Sequence, residues 1–172
     1  MPTPHELPSQ YLAHYSEEIL EQVRALIAAD QLGAWLKERY PGRPTVTTDR
    51  ALYEYVMVLK NAHLKTAPPL SKICFDDKIS TLNRSLGLHT YVSRVQGQKL
   101  KAKNELRVAS LFKETPPQFL RMVVVHELSH LREREHNKAF YQLCQRMEPN
   151  FDQYELGLRL YLTHRELAGK AG

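Results

Sequence analysis

Cysteine is scarce in this chain. Cys74 and Cys144 are the only two, far apart and without a C-x-x-C partner. That excludes a disulfide framework and a thiolate zinc ribbon, and leaves two buried, reduced thiols as the expectation. Long apolar runs are missing as well: none approaches the roughly 20 residues of a membrane-spanning helix, so no membrane partner is expected. The opening "MPTPHELPSQYLAHYSEE" has neither a basic n-region nor an apolar h-region, so no secretory signal is expected and the expected compartment is the cytoplasm. Repeats, linkers and low-complexity tracts are absent. The charge imbalance is small, a net +5 from 24 Lys and Arg against 19 Asp and Glu. It permits attraction to phosphates or nucleic acid without requiring it.

What is present is ordinary for a folded chain. Hydrophobic residues make up 42% and charged residues 25% of 172 positions, which argues against global disorder and suits one domain with a real core. Ser16 and two glutamates open a helix on which Ile19, Leu20, Val23, Leu26 and Ile27 share one face. Trp35 and Leu36 belong to a further helical piece that Pro41 and Gly42 end. Thr48 and Asp49 start another helix, striped by Leu52, Tyr55, Val56 and Leu59 and closed by Pro68 and Pro69.

From Ser71 the texture changes. "KICFDD", "HTYVSRVQ" and "ELRVASLF" are short, β-branched and aromatic, and they read as strands of a small sheet, with a turn centred on Gly97. After them comes "PPQFLRMVVVHELSHLRE". Thr115 is the expected N-cap, with Pro116 at the first helical position, where its missing N–H costs little. The apolar run through Val125, Leu128 and Leu131 is too steady for an exposed helix and predicts a central, buried one. "HNKAFYQLCQRM" and "DQYELGLRLYLTHREL" predict two closing helices, separated near Pro149 and Asn150. The pattern is an α+β fold in a single domain spanning 1–172, with a helical part at 1–69, a core at 70–151 and a last helix at 152–172.

His126 and His130 stand four apart in H-E-L-S-H. On a helix both imidazoles lie on one face about a turn apart, where they can bind one metal ion. Glu127 beside them can then act on a water. A buried helix seldom carries two histidines and a glutamate without partners, because unpaired buried polar groups are costly. His136 lies six residues further on. If the helix continued, it would be rotated about 120° from His130 and displaced about 9 Å along the axis. To serve as a third ligand it requires the helix to end or bend between about Leu131 and Glu135. Otherwise "REREH" is a solvated, charged tip.

"RMVVVHELSHLREREHNKAFYQLCQRMEPNF" resembles the YgjP-like, SprT-related group of small zinc metallopeptidase-like proteins, through His126, Glu127, His130, His136 and Phe140. The similarity extends upstream through "GLHTYVSRVQGQKLKAKNELRVASLF", covering roughly residues 70 to 151, and "RYPG" and "ALYEY" resemble the narrower YgjP-type subgroup. The resemblance implies a minimal zincin-like domain: N-terminal helices, a small sheet, a central H-E-x-x-H helix and C-terminal helices. It also implies three histidine ligands, one Zn²⁺ per chain and a glutamate base. In the extended zincin pattern H-E-x-x-H-x-x-G-x-x-H the third histidine falls at the same interval. Here Glu133 stands where the turning glycine would be, which argues against the long-cleft proteases.

The expected activity is metal-dependent hydrolysis with Glu127 as general base and His126, His130 and His136 holding the metal. Zn²⁺ suits an all-imidazole site, and other divalent metals remain open. The substrate is a peptide on the resemblance. The alternative is a nucleotide phosphoanhydride, a triphosphate cut to monophosphate and pyrophosphate. Arg94, Lys99, Lys101, Lys103 and Arg107 cluster around the Gly97 turn and could meet phosphates or a nucleic-acid backbone. The competing explanation is a strand edge protected by lysines. A non-enzymatic reading, a structural zinc site in a protein- or nucleic-acid-binding module, needs a fourth protein ligand, for which Cys144 is nearest in sequence. His89 and His164 are expected to pack or face solvent. His5, in "HELPSQ", lacks a second histidine at the required interval.

Overall fold

The computed structural model describes residues 9–79, 92–94 and 103–171. His5, His89, Lys99, Lys101 and the Gly97 turn lie outside them. The described residues show the expected α+β composition, divided between two compact units, residues 1–41 with 155–172 and residues 42–154.

In the first unit, α1 (Ser9–Leu12), α2 (Glu17–Ala28) and α3 (Leu32–Arg39) are joined by the residues from 155 onward of α7 (Phe151–Ala171). Ser16 caps α2, its hydroxyl accepting from the Ile19 N–H at 3.4 Å. Two glycines allow close helix contacts. A Cβ at Gly33 would lie 2.9 Å from Cε1 of His164, and one at Gly157 would collide with the Tyr40 ring. His164 therefore packs, as expected. Arg159 reaches back to the Tyr11 carbonyl at 2.8 Å.

The second unit holds the sheet. It consists of α4 (Asp49–His63), β1 (Lys72–Asp76), β2 (Val92–Arg94), β3 (Lys103–Ala109), a 3-10 turn at Ser110–Lys113, α5 (Pro117–Ser129), α6 (Lys138–Met147) and the start of α7. The strand order is β1-β3-β2, with β1 parallel and β2 antiparallel to β3. Thr48 caps α4, accepting from the Ala51 N–H at 3.1 Å. The neighbouring Asp49 carboxylate accepts the Phe75 N–H at 2.9 Å, tying α4 to β1.

Helix α5 packs against α4, α6 and β3. Phe119, Leu120, Met122, Val123, Val124, Val125 and Leu128 are all buried. Three consecutive valines are poor helix formers, so burial rather than propensity keeps this segment helical. Its start differs from the expectation: Pro116 is the N-cap and Pro117 the first helical residue, and no side chain caps the end. Thr115, fully buried, bonds its hydroxyl to the Pro116 carbonyl at 3.3 Å instead. Pro117 has no N–H to satisfy, which reduces the need for a hydroxyl cap. No described helix is long and apolar enough to cross a membrane.

Candidate metal centre

The H-E-L-S-H segment forms the last turn of α5. His126, Glu127, Ser129 and His130 are all buried, Glu127 to 1% of its free exposure. The helix stops there because the next amides turn back early. Leu131 N–H bonds to Leu128 C=O, and those of Arg132 and Glu133 both bond to Ser129 C=O. His130 occupies the C-cap with an ordinary right-handed backbone. Among the described residues Asp30 is the one non-glycine with positive φ. The turn thus has no left-handed position, and Glu133 can stand where related patterns place glycine.

Seven residues carry the chain from the end of α5 to the cap of α6. Asn137 is that cap, its carboxamide oxygen accepting from the Phe140 N–H at 2.9 Å. Two long-range ties hold the two helices together. The Cys144 thiol donates to the Ser129 hydroxyl at 3.2 Å, and that hydroxyl donates to Val125 C=O at 2.8 Å. At the other end of α5, Arg121 Nε meets Glu148 Oε1 at 2.6 Å, just beyond α6.

This arrangement brings His136 back onto α5. Its Nε2 lies 3.1 Å from Nε2 of His126 and 3.1 Å from Nε2 of His130. The bland alternative for His136, a solvated tip, is not what this geometry shows. The ring of the fully buried Phe140 underlies all three imidazoles, at centroid distances of 5.1, 4.5 and 5.0 Å from His126, His130 and His136.

The tautomers follow from the partners. Nδ1 of His130 faces the Glu133 carbonyl oxygen at 2.9 Å, and Nδ1 of His126 faces Glu127 Oε1 at 3.1 Å. A carbonyl or carboxylate oxygen can only accept, so both protons sit on Nδ1 and both Nε2 lone pairs face the cluster. Burial, then the neighbouring His126, pushes the His130 pKa down to about 4, so this imidazole is neutral at pH 7.

These residues fit a divalent metal. A tetrahedral ion with nitrogens about 2.0–2.1 Å away spaces its ligands about 3.3–3.4 Å apart, close to the two 3.1 Å separations of His136 from His126 and His130, and all three nitrogens lie within 4.8 Å of one another. Lone pairs turned toward one another repel unless a cation lies between them. The buried Glu127 carboxylate and the carbonyl end of α5 favour positive charge at the same place. Cys144 does not join the donors: the candidate ligand group among the described residues is His126, His130 and His136. Three protein ligands leave coordination positions for water or substrate.

The basic residues assigned to substrate are placed differently. Arg94 and Lys103 are backbone register partners in the β2–β3 pairing. Arg107 pairs with Asp76 at 3.0 Å and with Glu105 at 2.9 Å. Sequence reasoning missed the roles of Ser129, which joins the two helices, and of the Glu133 carbonyl. A backbone acceptor leaves no mark in residue type.

Residues 78–161 match the family model of the YgjP-like metallopeptidase domain. Over 157 residues, 91% of this chain and 94% of the relative, the chain is 56% identical to the UTP pyrophosphatase of Escherichia coli (strain K12). No solved structure matches it.

Proposed function

Because the chain belongs to the YgjP-like metallopeptidase-domain family and is a metal-dependent hydrolase, we propose that it cleaves a nucleoside triphosphate, UTP first among them, to the monophosphate and pyrophosphate. The observation that carries this reading is the 56% identity, along 94% of its length, to a protein named UTP pyrophosphatase. Arg132 supports it. This exposed guanidinium lies on the turn between the second and third ligands, bonds Thr66 Oγ1 at 3.3 Å, and has no carboxylate partner among the described residues. A cation there suits a triphosphate better than a neutral peptide. The basic residues Arg94, Lys99, Lys101 and Lys103 are proposed as a second source of charge. Arg107 serves less well, being neutralised by two carboxylates.

Zn²⁺ is the proposed ion, held by His126, His130 and His136, and it supplies Lewis acidity while bringing the pKa of water down to about 7. Glu127 takes the proton of the attacking water and later gives it to the leaving group. The water oxygen forms the new bond to the α-phosphorus. The bridging P–O bond breaks, and its electron pair leaves with pyrophosphate. Glu127 also accepts from His126 Nδ1, so it both orients a ligand and acts as base. The cytoplasm is the proposed compartment.

Glu127→Gln separates those two roles, because glutamine still offers His126 an oxygen acceptor but cannot take a proton. Zinc-loaded wild type is expected to release UMP and pyrophosphate from UTP. The variant is expected to keep its zinc and lose roughly 10²- to 10⁴-fold in kcat. Wild-type protein that leaves all nucleoside triphosphates intact but cleaves peptides would replace the nucleotide reading with the peptidase one. A fully active variant would remove Glu127 as the base.

A further inference from the structure

We infer that Tyr141 is the residue that recognises the nucleobase, by offering its ring face as a stacking platform at the rim of the metal centre. The inference rests on the nucleotide reading above and names the residue that would hold the base end of its substrate.

Phe140 and Tyr141 are neighbours on the first turns of α6, separated by about 100° of helical rotation. Phe140 points inward and closes the floor beneath the three imidazoles. Tyr141 projects beside the cluster instead. Its centroid lies 6.4 Å from that of His136, with the planes tilted by 35°, and 5.2 Å from that of Phe140, nearly at right angles.

The approach to the metal centre is set by which ligands are covered. His126 is 8% and His130 3% exposed, and Phe140 is fully buried. His136 is the least buried of the three ligands, so a substrate arrives along its edge. Tyr141 stands on that edge and keeps 37% of its surface in solvent. The other exposed large hydrophobic residues among those described, Tyr53 and Val58, are on α4. Tyr141 is thus a partly exposed ring in contact with the least buried of the three ligands. In a nucleotide one ribose separates the reacting α-phosphate from the base, a step comparable with the spacing between the His136 and Tyr141 rings. With phosphate at the imidazole cluster, the base reaches the Tyr141 ring.

Stacking on an aromatic ring accepts any base by its π-face. Binding that is equal in ground and transition states raises KM when lost and leaves kcat nearly intact. The test is UTP hydrolysis by zinc-loaded wild type, Tyr141→Ala and Tyr141→Phe, with inhibition by UMP, which carries the base, and by pyrophosphate, which does not. Zinc content is measured for each protein. Tyr141→Ala is expected to raise KM for UTP and Ki for UMP together by roughly 10- to 100-fold, with Ki for pyrophosphate unmoved. Tyr141→Phe is expected to retain the UMP affinity to within about 3-fold, since the ring remains. Equal weakening of UMP and pyrophosphate would assign Tyr141 a general structural role and overturn the inference, as would unaltered UMP binding in Tyr141→Ala. If the wild type does not hydrolyse UTP, the functional reading itself fails and this inference goes with it.

Discussion

The histidine cluster at the end of α5 and the arginine cluster on the sheet are both knots of ionisable side chains in the same compact unit, yet they balance charge differently. On the sheet, Arg107 sits between Asp76 and Glu105, and the Lys78 backbone N–H adds a further donor to Asp76. That N–H first, with Arg107 helping, holds the Asp76 carboxyl below its ordinary range, and the two carboxylates raise the guanidinium in turn. Every charge there has an opposite one in contact. At the end of α5, three imidazole nitrogens converge beside a buried carboxylate, and His130 is held neutral. That set offers nitrogen donors that a divalent cation could join. The sheet cluster ties elements together through opposite charges, whereas the histidine cluster gathers donors of one kind around a point.

Removing one member from each cluster tests this contrast, and the largest effect belongs to the histidines. His130→Ala is expected to lose stoichiometric metal and roughly 10³-fold or more of hydrolysis, while the circular dichroism of the fold remains. Metal analysis beside a rate assay reads both; full metal retention would mean the cluster is not the metal site.

The next effect is in pH. In metal-free protein the folded His130 pKa of about 4 lies below its ordinary value of 6.5. Between those values the unfolded chain binds the extra proton, so stability rises with pH. As pH falls from 6.5 to 4 the metal-free protein is expected to lose about 3 kcal/mol from this group. Urea unfolding across that range measures it, and a His130→Ala protein should show a flatter profile.

The smallest effect belongs to the sheet. Asp76→Asn removes one carboxylate from a partly exposed ion pair, with side-chain exposures of 28% and 15%. A stability loss of about 1 kcal/mol is expected, with kcat and KM as in wild type. A fall in KM would show that the released Arg107 reaches substrate, and would blur the distinction between the two clusters.

Much of this was legible in the sequence because it is local. Ser16, Thr48 and Asn137 each accept from an N–H three residues on, a relation carried entirely by spacing. The apolar run of α5 announced burial, and H-E-x-x-H announced two imidazoles on one face, since i and i+4 meet on any helix. Less legible was the exact start of α5, where Pro116 rather than Thr115 is the cap. Consecutive prolines blur the usual hydroxyl signal.

The sequence by itself determined the pair of histidines, the glutamate beside them and the helices and strands that carry them, because each depends on the periodicity of a few neighbouring residues. The tertiary structure decided that His136 joins the pair. Six residues on a continued helix would have carried it away; a turn without glycine, held by the bonds of Ser129 to Cys144 and Arg121 to Glu148, brings it back. Tertiary structure likewise paired β1 with β3 in parallel and placed Asp76 against Arg107, thirty-one residues apart. Contacts of that range are selected by packing and charge in the folded chain, and no local pattern encodes them.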